Sequence, residues 1–364
     1  MMIRKYILAF LLGFFVLQVC GQNKYRVFFT DKKGVTFDPE EYFDAKALER
    51  RILHRIPLRD STDFPLNPDY VEAVRRITGN TGFQSRWFNM VITYADGWQA
   101  EQIRSLPFVR DMYTANPEKF VASEKYDTTL DTYQEGLLRK QLDRMQGSLF
   151  IENSVNGKGV RIAVFDVGFP TVDVNPAFEH IRDEKRIIAT FNFITNEENV
   201  YESASHGTSV LSCIAGKTGN QQMGLATEAE FLLARTEYPV KEPFSEEENW
   251  LAAAEWADKN GAHIINSSLG YTYHRYFVRD MDGKTTFVSR AANTAASKGM
   301  LVVNALGNEG TTRWKYIGAP ADADSVLSVG GTDPETGFHT SFSSFGPTAD
   351  FRLKPNVCAL GHVI

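Results

Sequence analysis

Four short segments of this chain carry the side chains best suited to chemistry. Asp166 directly follows the apolar run 160–165, and His206 opens a run of small residues. Residues 267–270 read Ser-Ser-Leu-Gly, and Asn308 lies in a glycine-bounded turn. A carboxylate can orient an imidazole, an imidazole can act as general base and then general acid, and an amide can donate to an oxyanion. These residue types suit nucleophilic attack on a carbonyl group.

The elements that must position these segments can be predicted from the apolar pattern. Strands are predicted at 161–165, 231–234, 263–266, 300–305 and 326–329, and helices at 207–215, 246–260 and 287–298. Apolar strands that alternate with helices predict a parallel sheet with helices on both faces, an α/β fold. In such a sheet, ligands bind at the carboxyl ends of the strands. Asp166, residues 267–270 and Asn308 each follow a strand and His206 begins a helix, so we expect all four at one edge.

In their order and local sequence, these segments resemble those of the subtilisin-like serine proteases, the peptidase S8 family. The resemblance covers about residues 157 to 361 and implies a subtilisin-like parallel sheet and endopeptidase activity on polypeptide substrates. It implies that Asp166 is the acid, His206 the base and Asn308 the oxyanion donor. It further implies that Ser267, Ser268, Leu269 and Gly270 bind extended substrate through an exposed strand edge. Val167 departs from the pattern, because the family usually has Thr or Ser after this aspartate.

Each segment also has a purely structural interpretation. An aspartate at a strand end is often a turn residue, an asparagine in a glycine-rich turn is common, and residues 267–270 could be only a strand end with a glycine turn. A metal at His206 is not expected, because the other six histidines are scattered. No cofactor is predicted. Calcium, which many relatives bind, is possible but cannot be assigned to residues here.

The nucleophilic serine implied by the resemblance has no counterpart in the sequence. Gly207-Thr208-Ser209 has the expected letters but belongs to the histidine segment, and no serine follows Val357. We therefore expect the serine beyond residue 364, with the sequence being a fragment that is inactive and marginally stable by itself. The alternative is a truncated pseudoprotease or an inactive exported protein that binds peptides.

The N-terminus is typical of an exported protein. Arg4 and Lys5 precede an apolar run, and small residues follow near Cys20, which predicts a signal peptide at 1–21 and a secreted or periplasmic protein without a membrane span. Lipidation at Cys20 is the alternative. The remaining cysteines, Cys213 and Cys358, are predicted to be buried small hydrophobes. The net charge of −6 argues against a nucleic-acid partner.

Residues 22–118 have a pattern of their own that predicts a small α+β domain. Strands are predicted at 24–29, 87–94 and 107–113, and helices at 44–56, 67–77 and 100–105. The position and element order resemble the inhibitory propeptide of subtilisin-like proteases, which would make this domain a partner of the catalytic domain; an inhibitor acting alone is the weaker alternative. Residues 119–152 are predicted to hold a linker, cut within 123–132, and the start of the catalytic domain at 153–364. The acidic residues 246–248 and the segment 280–283 are interpreted as insertions that could modulate the cleft.

Overall fold

The computed structural model describes residues 22–115, 136, 140–219, 221–240, 243–273 and 275–361. The predicted signal peptide and the predicted cleavage segment 123–132 lie outside these residues. Within them, no helix has both the length and the apolar character needed to cross a bilayer.

The N-terminal unit is a four-stranded antiparallel sheet with helices. The sheet order is β2-β3-β1-β4. The strands are β1 (Asn23–Phe29), β2 (Gln84–Ser85), β3 (Met90–Ala95) and β4 (Val109–Ala115). The helices are α1 (Pro39–Tyr42), α2 (Ala45–Leu53), α3 (Pro68–Thr78) and α4 (Gly97–Arg104), with a 3-10 turn at Ser61–Asp63. The predicted α+β pattern is confirmed, except that the strand predicted from residue 87 begins at Met90.

The side chains of β1 alternate between two buried faces. Tyr25, Val27 and Phe29 pack into a core with α3 and α4, whereas Phe28 packs on the opposite side against the rest of the molecule. Successive side chains of a strand point to opposite faces of the sheet. A strand in a sheet that is covered on both sides therefore carries apolar side chains at consecutive positions. This explains the long apolar run at the end of β1.

The second unit is built on a seven-stranded parallel sheet. Its order is β13-β12-β11-β10-β5-β9-β6. These strands are β5 (Arg161–Asp166), β6 (Ile187–Asn192), β9 (Glu230–Arg235), β10 (Ile264–Ser267), β11 (Leu301–Ala305), β12 (Val326–Thr332) and β13 (Val357–Leu360); β7 (Lys217–Thr218) and β8 (Gln221–Gln222) form a separate hairpin. The helices are α5 (Gly147–Glu152), α6 (Glu179–Asp183), α7 (His206–Ala215), α8 (Ser245–Lys259) and α9 (Phe287–Ser297), with 3-10 turns at Pro176–Phe178 and Val278–Asp280. The predicted fold class is confirmed; β6 and β13 were not predicted.

Helices cover both faces of this sheet. The apolar residues of α8 and α9 form one core with Ala163 and Phe165 of β5, while α6 and α7 form another with Ile162 and Val164. The sheet of the N-terminal unit packs on the outer side of α8 and α9 through Phe28, Trp87, Met90 and Ile92. The molecule is therefore layered as N-terminal sheet, helices, parallel sheet and helices.

The strand order reverses between β5 and β10. From β5 the chain crosses to the edge strand β6 and returns to β9 beside β5, whereas from β10 it builds in the other direction through β11, β12 and β13. Connections leave the two central strands in opposite directions, which opens a crevice at their carboxyl ends. Asp166 and Ser267 end these two strands.

Two expectations from the sequence are wrong. Cys213 and Cys358 are exposed rather than buried. Residues 246–248 do not form an acidic loop at the cleft, because they are buried in the first turn of α8. There Arg275 pairs with Glu246 and Glu247 at 2.9 and 3.3 Å, and Arg26 of β1 donates to Glu248 at 2.7 Å. The segment 280–283 leads into α9, with Met281 in the core.

Candidate active site

Asp166 and His206 are in direct contact at the carboxyl edge of the sheet. His206 Nδ1 lies 2.9 and 3.0 Å from the two carboxylate oxygens of Asp166. An ionised carboxylate only accepts hydrogen bonds, so beside one Nδ1 carries the proton and, in the neutral imidazole, Nε2 presents its lone pair. Asp166 is fully buried, whereas the side chain of His206 is 48% exposed. The pair thus has one shielded end and one open end.

The buried carboxylate changes the basicity of the imidazole. The hydrogen bond and the charge of Asp166 raise the pKa of His206, and partial burial opposes this increase. A second donor to the carboxylate is the backbone N–H of Val167, 2.8 Å from Oδ1. Val167 therefore still supplies a hydrogen-bond donor to Asp166 through its backbone, although it lacks the hydroxyl of the family's usual Thr or Ser.

Two glycines allow the helix of His206 to approach the aspartate. A Cβ at Gly207 would lie 2.3 Å from the carbonyl oxygen of Gly168 and 2.9 Å from Cβ of Asp166. Gly168 has φ +149°, and a Cβ there would lie 2.1 Å from the carbonyl oxygen of Glu202. Such distances are below van der Waals contact, so both positions require glycine in this arrangement. Gly207, directly after His206, and Gly168, two residues after Asp166, therefore let α7 begin directly over the end of β5.

The loop that precedes His206 is held by contacts that the sequence analysis missed. Arg235, the last residue of β9, donates to Glu202 at 2.7 Å. The hydroxyl of Thr208 donates to the carbonyl of Pro170 at 2.7 Å, and Phe169 N–H donates to Val200 at 2.8 Å. Two features of the sequence could have identified this ion pair. Glu202 lies four residues before His206, and Arg235 ends a strand that pairs with β5.

Asn308 lies in the turn that follows β11, at the same edge of the sheet. It is exposed, and Gly307 before it has φ +119°. Ser344 braces the turn, because its N–H donates to Gly307 at 2.8 Å and its hydroxyl accepts from Glu309 N–H at 3.0 Å. A side-chain amide on such a braced turn is available to an oxygen anion in the cleft.

The four residues of the predicted substrate segment are in different environments. Ser267 and Leu269 are buried, and the indole N–H of Trp250 donates to the hydroxyl of Ser267 at 3.1 Å. Ser268 is half-buried and Gly270 is exposed. Asn304, which the sequence analysis did not single out, donates to the carbonyl of Leu269 at 2.8 Å and fixes this segment to β11. Of these four residues, Ser268 and Gly270 are therefore the ones at least partly exposed to solvent.

The described residues contain no group of three or more His, Cys, Asp or Glu side chains placed to hold a metal ion.

Comparisons with known proteins agree with this architecture. The model of the subtilase family, Peptidase_S8, matches residues 157–363, and that of the Bacteroidota peptidase S8 propeptide domain matches residues 24–129. The chain is 28% identical over 221 residues to Subtilisin BL of Lederbergia lenta, which covers 59% of this chain and 71% of that protein. It is 32% identical over 196 residues to the thermostable alkaline protease of Halalkalibacterium halodurans, which covers 52% of this chain and 46% of that protein. The chain thus spans about half the length of the second relative.

A solved structure with the same fold is the epidermin leader peptide processing serine protease of Staphylococcus aureus. Its TM-score is 0.57 at 16% identity, and the alignment covers 94% of this chain and 75% of that chain. At this identity the likeness concerns the fold alone.

Proposed function

Because this chain belongs to the subtilase family, we propose that it acts in an exported serine endopeptidase zymogen whose nucleophilic serine follows residue 364. In this proposal, Asp166 orients the imidazole, His206 is the general base and then the general acid, and Asn308 donates to the oxyanion. Residues 22–118 are the propeptide, and a signal peptide at 1–21 directs export.

The observation that carries the proposal is the contact between Asp166 and His206. With Nδ1–H held by a buried carboxylate, Nε2 is the atom that can remove a proton from an arriving hydroxyl. The imidazolium that forms is stabilised by the adjacent negative charge, which is the same interaction that raises the pKa of His206. The open side of the ring leaves room for the nucleophile and the substrate.

The position of Asn308 supports its role as oxyanion donor. Asn308 follows β11 and residues 268–270 follow the adjacent strand β10, so both stand at the edge where Asp166 ends β5. A peptide bound along residues 268–270 would place its scissile carbonyl between His206 and Asn308. Loss of one such amide donor costs about 10² to 10³ in rate in subtilisin, which is the standard example of this effect.

The arrangement of the N-terminal unit supports an inhibitory role. Its last described strand, β4, ends at Ala115, which lines a cavity of about 220 Å³ together with Tyr238 and Asn249. Asn249 donates to the carbonyl of Thr236, whose own N–H donates to the carbonyl of Asp166 at 3.0 Å. Ala115 therefore lies beside Asn249, which is linked by two successive hydrogen bonds to Asp166 at the end of β5. A segment leaving from this point can enter the cleft and block it.

The test is to express the complete reading frame that contains this chain, with and without His206→Ala. The wild-type protein is expected to cut itself near residues 118 to 140, within the predicted segment 123–132, and to react with a serine-directed phosphonate. His206→Ala is expected to abolish both. The matched control that should retain them is His180→Ala, a half-buried histidine of α6 whose Nε2 contacts the carbonyl of Ala215 at the far end of α7 from His206. A wild-type protein that binds extended peptides without cutting or labelling would contradict the proposal and favour the inactive peptide-binding alternative.

A further inference from the structure

Part of the N-terminal unit does not belong to that unit's own core. Residues 37–64, here named the latch segment, contain α1, α2 and the 3-10 turn. Its buried apolar residues Phe37, Phe43 and Ala47 form a small cluster separate from the core between the four-stranded sheet and α3 and α4. The latch segment is therefore not needed to complete the sheet's own packing.

The latch segment lies at the edge of the parallel sheet opposite the catalytic edge. Asp44 N–H donates to the carbonyl of Lys259 at 2.9 Å, and the Asp44 carboxylate lies 3.2 Å from Nη1 of Arg161. Arg161 is the first residue of β5, whose last residue is Asp166. At about 3.3 Å per residue, the two ends of this strand are roughly 17 Å apart. The latch contacts are thus remote from the cleft.

The contact consists of buried charges of both signs. Arg50 and Arg51 of α2 both donate to Asp258 at the end of α8, and Lys298 at the end of α9 lies 2.9 Å from Asp63 and 3.1 Å from Asp60. Arg50 also donates to the carbonyls of Ala262 and Lys298. The four residues Arg50, Arg51, Asp258 and Lys298 are each at most 1% exposed. Each cation therefore faces an anion across the boundary between the two units.

Two glycine turns of the second unit leave space for the latch segment. The turns that end α8 and α9 contain Gly261 and Gly299, both with positive φ. A Cβ at Gly261 would lie 2.8 Å from Cβ of Lys46, and one at Gly299 would lie 3.0 Å from the side chain of Ile56. The latch segment thus fills space that these two turns leave open.

The latch segment is also tied firmly to its own unit. The ammonium of Lys32 donates to the carbonyls of Ser61, Thr62, Phe64 and Arg86 at 2.6 to 2.9 Å. The guanidinium of Arg86 donates to the carbonyl of Asp63 at 3.0 Å. A contact between the latch segment and the second unit therefore holds the entire N-terminal unit on the second unit.

We propose that Asp258, Lys298 and the carbonyl of Ala262 form an exosite that selects this chain's own propeptide and retains it after the linker is cut. The occupant is the latch segment, with the adjacent arginines of α2 and the acidic turn at 60–63. This proposal rests on the proposed function of residues 22–118 as a propeptide. Because the exosite is remote from the cleft, the propeptide can stay bound there while a substrate occupies the cleft.

The selectivity follows from the cost of leaving a buried charge unpaired. A buried ion pair adds little net affinity, but removal of one partner is strongly unfavourable because the other stays desolvated. A propeptide without the arginine pair would bury Asp258 and leave its negative charge unpaired. A propeptide without the acidic turn would bury Lys298 and leave its positive charge unpaired. The exosite therefore discriminates against foreign propeptides more than it strengthens binding of its own.

The experiment uses the chain with a recognition sequence for a specific protease inserted between residues 119 and 135. After cutting, dissociation of the N-terminal fragment from the immobilised remainder is followed over time. Arg50→Ala/Arg51→Ala and Asp258→Ala are each expected to raise the dissociation rate about 100-fold or more. The matched control Arg75→Ala/Arg76→Ala, an exposed arginine pair of α3 within the same unit, should change it less than threefold.

A double-mutant cycle separates recognition from a general loss of structure. Arg51→Ala combined with Asp258→Ala should cost less than the sum of the single changes, because the first removes the interaction that the second would lose. If a buried-charge variant does not fold, Asp60→Asn at the partly exposed rim should still raise the dissociation rate several-fold. Rates within threefold of the control, or fully additive effects, would overturn the proposal. Since this readout needs no peptidase activity, an inactive full-length protein would refute the proposed function and leave the exosite standing.

Discussion

At the scale of single residues, the site depends on where one proton resides. The carboxylate of Asp166 is completely buried and accepts from His206 and from the backbone of Val167. A buried carboxylate that keeps its charge must be paired, and here the imidazole is its principal partner. The chemistry attributed to His206 therefore depends on the charge of its neighbour more than on the helix that carries it.

Replacing Asp166 by Asn tests this dependence without any need for catalysis. Loss of the negative charge should lower the pKa of His206, because the hydrogen bond and the charge of Asp166 are what raise it. The measurement is an NMR titration of the His206 ring protons, assigned with His206→Ala. Asp183→Asn, an exposed change on α6, should leave the titration unchanged. A His206 pKa that does not fall in Asp166→Asn would contradict the paired arrangement.

At the scale of elements, the start of α7 must pack on the turn that follows β5. The first residues of α7 lie so close to Gly168 and Asp166 that no side chain fits at Gly207. The hydrogen bond from Thr208 to Pro170 fixes the same contact one residue further along the helix. The His-Gly-Thr sequence is thus as much a packing requirement as a catalytic one.

Gly207→Ala should therefore separate α7 from β5. Overpacking of this kind costs about 1–3 kcal/mol, so we expect a lower free energy of unfolding and a His206 pKa displaced toward its ordinary value. Both can be measured in the chain as it is, by denaturant unfolding and NMR titration. Gly97→Ala, at the first residue of α4 with open space around it, is the matched control and should be neutral or slightly stabilising. Equal effects of the two changes would argue against tight packing at Gly207.

At the scale of the whole molecule, one buried carboxylate of the second unit accepts hydrogen bonds from the N-terminal unit. Glu255 of α8 accepts from the hydroxyl of Ser85 and from the N–H groups of Arg86 and Trp87, at 2.5, 3.0 and 3.1 Å. Burial raises the pKa of Glu255 to about 7, and the three donors only partly offset this. The interface between the units is consequently sensitive to pH near neutrality.

The direction of this sensitivity is fixed by linkage. Between pH 4.5 and about 7 the folded chain holds a proton on Glu255 that the unfolded chain has lost. The stability contributed by this group is therefore complete below pH 4.5 and is lost as the pH rises through about 7, by an amount on the order of 3 kcal/mol. Glu255→Gln cannot ionise, so the free energy of unfolding of the wild type should fall relative to this variant between pH 5 and pH 8.

Denaturant unfolding of both proteins at the two pH values, followed by tryptophan fluorescence, measures the difference. Glu184→Gln, which changes an exposed carboxylate paired with Arg186, is the control and should track the wild type. Parallel pH curves for the wild type and Glu255→Gln would show that Glu255 does not titrate in this range. The comparison cancels pH effects from all other groups, which the two proteins share.

The sequence by itself determined the fold class, because strands buried on both faces are read directly as apolar runs and their alternation with helices requires a parallel sheet. It also indicated that Asp166, His206 and Asn308 lie at one edge, since each stands where a strand ends or a helix begins. Only the tertiary structure decided which polar residues are buried. Ser267 lies inside, Cys213 lies outside, and Glu248 lies within the contact with β1. The reason is that the apolar periodicity of a short segment shows only which face of that one helix or strand is buried. The burial of a charged pair such as Arg51 and Asp258, which are 207 residues apart, depends on which elements pack together in the tertiary structure.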